Sequence, residues 1–403
     1  MPALKCKFWN VGQGLFSSGC IKMKAAPNFH WVYDCGTNSS PTLIQNSVYK
    51  YNQQENNTDI DLLVLSHFDS DHISGVKELL KNGRKIKYWV VPYYPLWQRL
   101  VIASIYNNLK KDDEFYSNPI LYLKEQFPEA LEHTEILLLP TKENDGEIAT
   151  SLSPSYYTES KGNVFFKRLD KPFSDEFSNI DVKLHWLDPN YPILLKDIHT
   201  QEEFEFVLYN VPFKLFLKYP PNLRTFQNQV EQIIQHHQFS STDPTSDLKK
   251  IYTKTFGNNG KRKNIISQYL YIRKVNQVSL RNHILHVEKN VQSPLKRYFS
   301  HKNAILYTGD GYLNNLPLLT DLMRTLGNIR INDIHCLQVP HHGAKGNWQL
   351  GLANALSPDI SVFTADNQRK KAHPHLEVLS DFWPYNPIIV NKNTRLSIHS
   401  IYR

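Results

Sequence analysis

Two histidines and two aspartates fall within six residues of one another, in the sequence H-F-D-S-D-H at positions 67–72. Imidazole nitrogens and carboxylate oxygens are ligands that zinc and manganese accept in proteins. Ser70 or Asp71 could instead serve only as the N-cap of a following helix. A cap needs one such residue, so the stretch predicts a metal site. Its four candidate ligands are His67, Asp69, Asp71 and His72.

The elements on either side of this stretch must position it. Residues 60–65 are a short run rich in Leu and Val, which is typical of a buried strand. Ile73, Val76, Leu79 and Leu80 then follow at helical spacing. The candidate ligands therefore lie on a loop at the carboxyl end of a strand, where α/β proteins bind their ligands.

The H-F-D-S-D-H stretch resembles the HxHxDH motif of the metallo-β-lactamase superfamily, with Asp69 in place of the second histidine. This HxDxDH form is similar to that of the metallo-hydrolase domain of ComEC-type DNA-uptake competence proteins, and phosphorylcholine esterases of the superfamily also use it. The resemblance covers about residues 1–90 and 275–395. Further motifs that carry it are N-V-G-Q-G at 10–14, D-C-G at 34–36, Gly-Asp at 309–310, His-His-Gly at 341–343 and His-Pro at 373–374.

The resemblance implies an α/β fold, a four-layer αββα sandwich in which each ligand follows a hydrophobic strand. We expect a single domain over residues 1–403. Residues 190–274 have no counterpart in the family pattern, and we expect them to form an inserted, mainly helical cap. Helical spacing within this segment occurs at 199–209, 224–238 and 246–256. Two further helices are predicted at 40–50 and 313–327.

The resemblance also implies a site for two divalent metal ions, zinc or manganese. Asp310 would bridge the two ions. His342 is an alternative to His341 as a ligand, and His375 is an alternative to His373. Asp34 is expected to orient a ligand rather than to bind metal. The implied metal ligands are His67, Asp69, Asp71, His72, Asp310, His341 and His373.

Basic residues stand beside these motifs, at Lys345 and at positions 369–371. Such charge favours a phosphodiester over a neutral amide, although a solvated turn explains the 369–371 run equally well. The aromatic stretch at 92–97 could stack bases or belong to the core. The expected catalytic residues are Asp71, Asp310 and Lys345. The expected substrate contacts are Asn10, Asn276, Ser279, His342, Lys345, Arg369, Lys370 and Lys371.

The net charge, the cysteines and the apolar runs limit the classes of protein to which this chain can belong. The net charge of +8 and the pI near 9.0 fit a polyanionic partner but do not by themselves select one. The four cysteines form no CxxC pair, so we expect buried, reduced thiols. No apolar run has the length of a membrane span or of a signal peptide, which predicts a cytoplasmic protein with no membrane partner.

The sequence thus predicts a metal-dependent phosphodiesterase. The resemblance implies a nuclease that prefers DNA to RNA, acts in bacterial antiviral defence and has a protein partner encoded nearby. One alternative is a hydrolase of small phosphodiesters, similar to the phosphorylcholine esterases. Another is a catalytically silent scaffold, which the complete ligand set argues against. The width of the groove above the metals would separate the first two, because a polymer needs an open basic channel.

Overall fold

Two sheets contain the named strands of the computed structural model. The described residues are 3–81, 84–93, 118–142, 148–149, 158–159, 163–173, 181–197, 199–200, 202–212, 215, 223–240, 246–247, 250–251, 254, 267–275, 281–289, 295–368 and 373–402. The strands, β1 to β19 in chain order, are Ala3–Phe8, Phe16–Lys22, Phe29–Cys35, Ile60–Val64, Ile86–Pro92, Glu135–Leu139, Thr158–Glu159, Val164–Phe166, Lys183–Trp186, Ile193–Asp197, Glu202–Asn210, Gln268–Lys274, Arg281–Lys289, Leu295–Ser300, Ala304–Tyr307, Ile334–Gln338, Ile360–Thr364, Pro387–Val390 and Thr394–Ile401. The α-helices, α1 to α9, are Pro41–Gln54, Ser70–Ile73, Val76–Leu80, Pro119–Gln126, Pro128–Leu131, Leu223–Ser240, Leu316–Asn332, Leu352–Leu356 and Leu376–Asp381.

Each sheet contains one block of parallel strands. The ten-stranded sheet has the order β14-β13-β19-β1-β2-β3-β4-β5-β6-β9, and the nine-stranded sheet has the order β18-β17-β16-β15-β12-β11-β10-β8-β7. Strands β3 to β6 and β9 run parallel in the first sheet, and β15 to β18 run parallel in the second. The carboxyl ends of these two blocks are followed by the loops that carry the predicted metal ligands.

Side chains that alternate along the strands pack into three apolar layers. In β11, Phe204 and Phe206 face the core between the sheets, whereas Val207 faces the second sheet's helices. On the outer face of the first sheet, Leu63 packs in a cluster with Val48 of α1. Two sheets with helices on both outer faces form four layers, so the predicted αββα sandwich is confirmed.

The segment 190–274 differs from the helical cap predicted for it. The predicted helix at 199–209 is wrong, because Glu202–Asn210 is strand β11. Strands β10, β11 and β12 of this segment are adjacent within the second sheet. The helix predicted at 224–238 is confirmed within α6, and the described residues of 246–256 are helical. We therefore infer that the segment is integral to the sandwich.

Several local predictions agree with the structure. The helix predicted at 40–50 is confirmed as α1. The predicted helix at 313–327 corresponds to α7, which continues beyond Gly327 although that residue has a φ of 76°. All four cysteines are buried and free. Among the described residues, no helix combines the length and the apolar character that crossing a membrane requires.

Candidate metal centre

The metal-loop residues follow strand β4 directly. His67 comes three residues after the strand's last residue, Val64, and Asp69 is the N-cap of the short helix α2 that carries Asp71 and His72. The N-V-G-Q-G stretch at 10–14 lies against this loop, since Leu15 N, next in the chain, donates to Asp71 O at 3.0 Å.

The remaining ligand candidates follow strands of the second sheet. Asp310 comes after β15, and His341 and His342 form part of the 3-10 turn Pro340–Gly343 after β16. The two histidines have left-handed backbones, with φ of 47° and 58°. Such a conformation costs free energy in residues other than glycine and is typical of functional sites. This turn directs both imidazoles toward Asp310.

Asp34 orients the metal loop through three hydrogen bonds. Its Oδ1 accepts from Ser66 N at 2.6 Å, and its Oδ2 accepts from Ser66 Oγ at 2.6 Å. The same Oδ2 lies 2.7 Å from His72 Nδ1. Because a carboxylate oxygen accepts, His72 donates from Nδ1 here, which directs its Nε2 into the cluster. Asp34 thus contacts the predicted ligand His72, as the expectation for it requires.

Two other residues fix His341 and His342 in the same way. Asn347 Nδ2 donates to Asp310 O and Gly311 O, so its Oδ1 accepts from His341 Nδ1 at 2.9 Å. His342 Nδ1 donates to the carbonyl oxygen of Thr364 at 2.6 Å. In both histidines the proton is therefore on Nδ1. The Nε2 atoms of both histidines point into the cluster.

The carboxylate of Asp310 lies between two groups of histidines. Its Oδ2 is 3.4 Å from His341 Nε2 and 3.8 Å from His67 Nε2. Its Oδ1 is 3.1 Å from His72 Nε2 and 3.6 Å from His342 Nε2. Asp310 is thus placed to bridge two cations, one at each oxygen.

The carboxylates of the metal loop divide between the same two groups. Asp69 Oδ2 lies 3.8 Å from His67 Nε2, and Asp71 Oδ2 lies 3.3 Å from His342 Nε2. We define the first subsite as His67, Asp69, His341 and Asp310 Oδ2. We define the second subsite as Asp71, His72, His342 and Asp310 Oδ1, whose ligand atoms all lie within 4.8 Å of one another.

The second subsite differs from the sequence expectation in one ligand. His342, expected to contact substrate or to replace His341 as a ligand, lies in this subsite, whereas the expected ligand His373 does not. The His373 ring lies 6.3 Å from the ring of His341, and its Nδ1 is 3.2 Å from His375 Nδ1. The reason is the turn at Pro340–Gly343, whose two left-handed residues direct both imidazoles inward. No sequence pattern distinguishes this turn from one that directs a single histidine.

The expected substrate contacts are only partly described. Lys345 is exposed, and its backbone N donates to His375 Nδ1 at 3.3 Å, so it stands at the rim of the cluster. Asn10 Nδ2 donates to Lys392 O at 3.2 Å. Tyr93 packs edge-to-face on Trp186 at 4.5 Å, which favours the core alternative for it. Outside the described residues lie Tyr94, Trp97, Asn276, Ser279, Arg369, Lys370 and Lys371.

Burial and crowding shift the pKa values of the cluster in opposite directions. Burial lowers the pKa of His67 to about 4. Burial, together with the nearby carboxylates, raises the pKa of Asp69 to about 6. Burial alone would raise the pKa of Asp310, yet the histidines around it hold that pKa well below its ordinary value. Burial opposes protonation of His72, but the carboxylates of Asp310 and Asp34 hold its pKa well above the usual range.

The donor set fits a pair of divalent cations. Two buried carboxylates, Asp71 and Asp310, lie in one cluster with the partly exposed Asp69, and a divalent cation there would supply compensating positive charge. Among the described residues, the buried His67 Nε2 makes no hydrogen bond, as expected for a nitrogen reserved for metal. Imidazole and carboxylate ligands without thiolate suit zinc and manganese alike.

Replacement of Asp34 by asparagine tests how the ligands are oriented. In Asp34→Asn the amide donates where the carboxylate accepted, so His72 must move its proton to Nε2 or lose its partner. We expect the affinity for the second metal ion to fall about 10–100-fold, as is usual for hydrogen-bond partners of ligands. Calorimetric titration of the metal-free protein measures this. An unchanged affinity, with the fold intact by circular dichroism, would show that Asp34 does not orient His72.

Gly36 has no room for a side chain against the metal loop. A Cβ at this position would lie 2.5 Å from His72 N and from Asp71 C, which are backbone atoms. We expect Gly36→Ala to lower the free energy of unfolding by about 1–3 kcal/mol and to weaken metal binding. Urea unfolding measures the first effect. Gly346→Ala, where a Cβ meets nothing within 4 Å, is the matched control. Equal behaviour of the two variants would contradict the close packing.

Comparison with known proteins gives one family match. The family model described as the metallo-β-lactamase superfamily matches residues 26–160, which include β3, α1 and the metal loop. No curated protein matches the chain. Among solved structures, the crystal structure of a long form RNase Z from yeast aligns over 97% of this chain and 41% of its own, with 11% identity and a TM-score of 0.38. This chain therefore spans about two fifths of that protein's length.

The matched segment contains H-F-D-S-D-H, and the structure brings this loop together with Asp310, His341 and His342 at one end of a four-layer sandwich. Residues 26–160 therefore match the superfamily predicted from the motifs, and the described chain has the four-layer αββα arrangement that the resemblance implies.

Proposed function

We propose that the chain is a dinuclear metal-dependent phosphodiesterase and, more specifically, a nuclease acting on DNA. The observation that carries the proposal is the position of Asp310, whose two oxygens face different histidine pairs at 3.1–3.8 Å. One carboxylate shared in this way is what a two-metal site requires. A site for a single ion would need only one of these groups.

Two roles are needed to hold the metal ions, and different residues would perform them. Asp310 would fix the separation of the two subsites, and Asp34, Asn347 and Thr364 would keep the histidine Nε2 atoms directed inward. Two divalent cations held there would make water nucleophilic near neutral pH and stabilise charge developing on phosphoryl oxygens. No serine or cysteine nucleophile is needed.

Positive charge at the rim supports a phosphodiester substrate. Lys345 is exposed beside His375, where its ammonium would neutralise a phosphate next to the one being cleaved. The overall charge of +8 acts in the same direction. DNA rather than RNA, a defence role and a partner encoded nearby are parts of the proposal that rest on family resemblance, whereas the proposed cytoplasmic location rests on the hydropathy of the sequence.

The proposal is tested by incubation with plasmid, single-stranded DNA, RNA and bis-p-nitrophenyl phosphate, in Mn²⁺ and in Zn²⁺. The control is His67→Ala, matched by His133→Ala at a side chain that is 60% exposed and remote in the chain. We expect cleavage of DNA by the wild type and by His133→Ala only. Turnover of the small diester alone would replace the nuclease by a small-molecule esterase. No turnover of any substrate by metal-loaded protein would favour a silent scaffold.

Removal of the charge at Lys345 tests the role of the rim. We expect Lys345→Ala to raise KM for DNA and to reduce the dependence of log KM on log salt concentration by about one phosphate contact. The small diester, which has no neighbouring phosphate, should show a smaller change in KM. Lys81→Ala, at a side chain that is 55% exposed, is the matched control. An identical salt dependence in wild type and Lys345→Ala would exclude this contact.

A further inference from the structure

A cleft of about 820 Å³ opens between the edge strands of the two sheets, β14 and β18. It lies at the start of β17, beside Asp359 and Ile360, whereas the metal centre lies beyond the other end of that strand, where Thr364 O accepts from His342. Asp359 and Thr364 are five positions apart along the strand, which corresponds to roughly 17 Å. The cleft is therefore separate from the metal centre, and its volume is in the usual range for small-molecule sites.

A fixed polar cluster forms the floor of this cleft. Asp359 Oδ2 accepts from Ser300 Oγ at 2.6 Å and lies 2.9 Å from His335 Nδ1. His335 Nε2 in turn lies 2.9 Å from Tyr298 OH. His335 is 1% exposed and stacks on His283 with ring centroids 3.9 Å apart, so the cluster cannot turn freely.

The ionised carboxylate of Asp359 lines the cleft. Burial would raise the pKa of its carboxyl, but hydrogen bonds from His335 and Ser300 hold that pKa below the ordinary value. Its side chain is 27% exposed. The carboxylate is therefore positioned to accept a hydrogen bond from a hydroxyl or an amine of a ligand.

Aromatic rings and lysines form the walls. Trp383 is 71% exposed and Phe299 is 62% exposed, although the other described tryptophans are buried or half-buried. Tyr385, in the same 3-10 turn as Trp383, donates to Asn354 Oδ1 at 3.1 Å, which holds the turn in place. Lys296 and Lys302 also line the cleft and give it positive charge.

We propose that this cleft binds a nucleoside phosphate unit. The base would stack on the exposed face of Trp383. Lys296 and Lys302 would contact the phosphate, and Asp359 would accept from the sugar hydroxyl or the exocyclic amine. The unit is either a free nucleotide or an unpaired nucleotide of a longer strand, because both present the same chemistry. The proposal does not rest on hydrolysis at the metal centre.

The test is calorimetric titration of the full chain, without added metal and with EDTA, so that its outcome is independent of catalysis. The probes are AMP, adenosine, ribose 5-phosphate and a thymidine hexanucleotide. We expect AMP to bind more tightly than adenosine or ribose 5-phosphate. Trp383→Ala should weaken AMP binding about 5- to 150-fold, the range that corresponds to base–aromatic stacking. Lys296→Glu should weaken binding of AMP but not of adenosine.

Matched controls are Tyr49→Ala, at a 64% exposed aromatic on α1, and Lys81→Glu. Both should bind AMP as the wild type does. Binding of the hexanucleotide without AMP, still sensitive to Trp383→Ala, supports the proposal and identifies the source as a polymer. Equal affinity for AMP and ribose 5-phosphate would overturn it in favour of a simple anion site. Absence of binding to all four probes would overturn it as well.

Discussion

Asp310→Ala is expected to abolish metal-dependent hydrolysis while leaving the fold intact. The substitution removes ligand atoms from both subsites at once, since Oδ1 faces His72 and Oδ2 faces His341. Loss of a hydrogen-bond partner behind a ligand costs about 10–100-fold, and we expect loss of the shared ligand to cost more. Initial rates on single-stranded DNA and on bis-p-nitrophenyl phosphate measure the effect.

Folding of Asp310→Ala should be preserved because the histidines that face Asp310 can lose a proton once its charge is gone. No unpaired buried charge then remains, so the free energy of unfolding of the metal-free protein should change little. Asp170→Ala, at an exposed aspartate, is the matched control for rate. A rate within a few-fold of wild type in Asp310→Ala would refute the bridging role.

Arg330→Met is expected to cause the largest loss of stability. Arg330 is fully buried, and its guanidinium makes two hydrogen bonds to Glu205, at 2.9 and 2.8 Å. It also donates to the carbonyl oxygens of Ile148 and Ala149. Breaking a buried ion pair by removing one partner costs about 3–5 kcal/mol. Urea unfolding of the metal-free protein measures the loss.

Arg395→Met provides the comparison for Arg330→Met. Arg395 also pairs with a glutamate, Glu288, but its side chain is 24% exposed. Fully exposed pairs contribute about 0–1 kcal/mol, so this half-buried pair should contribute less than the Arg330 pair, and Arg395→Met should lose less stability. Equal losses in the two variants would mean that burial does not set the strength of the Arg330 pair.

Glu205 also shows why a helix was wrongly predicted at 199–209, where the structure has strand β11. Residues 202–210 read E-E-F-E-F-V-L-Y-N, and glutamates favour helices over strands. In the structure the Glu205 side chain is 1% exposed and pairs with Arg330 and Arg273, partners that are 125 and 68 residues away along the chain. Pairing over such separations is not visible locally. The alternation of Phe204 and Phe206 was the better signal, since it has the period of a strand.

Elements with a strong local pattern could be predicted because they do not depend on partners far away in the chain. The run at 60–65 and the helix at 40–50 contain their own periodicity, and β4 and α1 appear there. The helix predicted to end at Gly327 has a kink at that residue and then continues to Asn332. Local pattern predicts elements well where no distant partner competes.

The candidate metal centre shows the same difference between features set by local sequence and features set by distant contacts. Residues grouped in a motif, such as those at 67–72, could be assigned to metal binding from spacing alone. Asn347 and Thr364, which fix the tautomers of His341 and His342, were missed because neither stands in a motif. The exchange of His342 for His373 depends on two left-handed backbone conformations. Backbone conformation of that kind is set by tertiary packing and not by the residue type.

The number of metal ions bound per chain tests the two-subsite geometry most directly. Elemental analysis after reconstitution with Mn²⁺ or Zn²⁺ and removal of excess metal should give two ions in the wild type. His67→Ala, which removes a ligand from the first subsite only, should give one ion. Asp310→Ala should give fewer than two. Two ions in Asp310→Ala, or only trace metal in a wild-type protein that still cleaves phosphodiesters, would contradict the account.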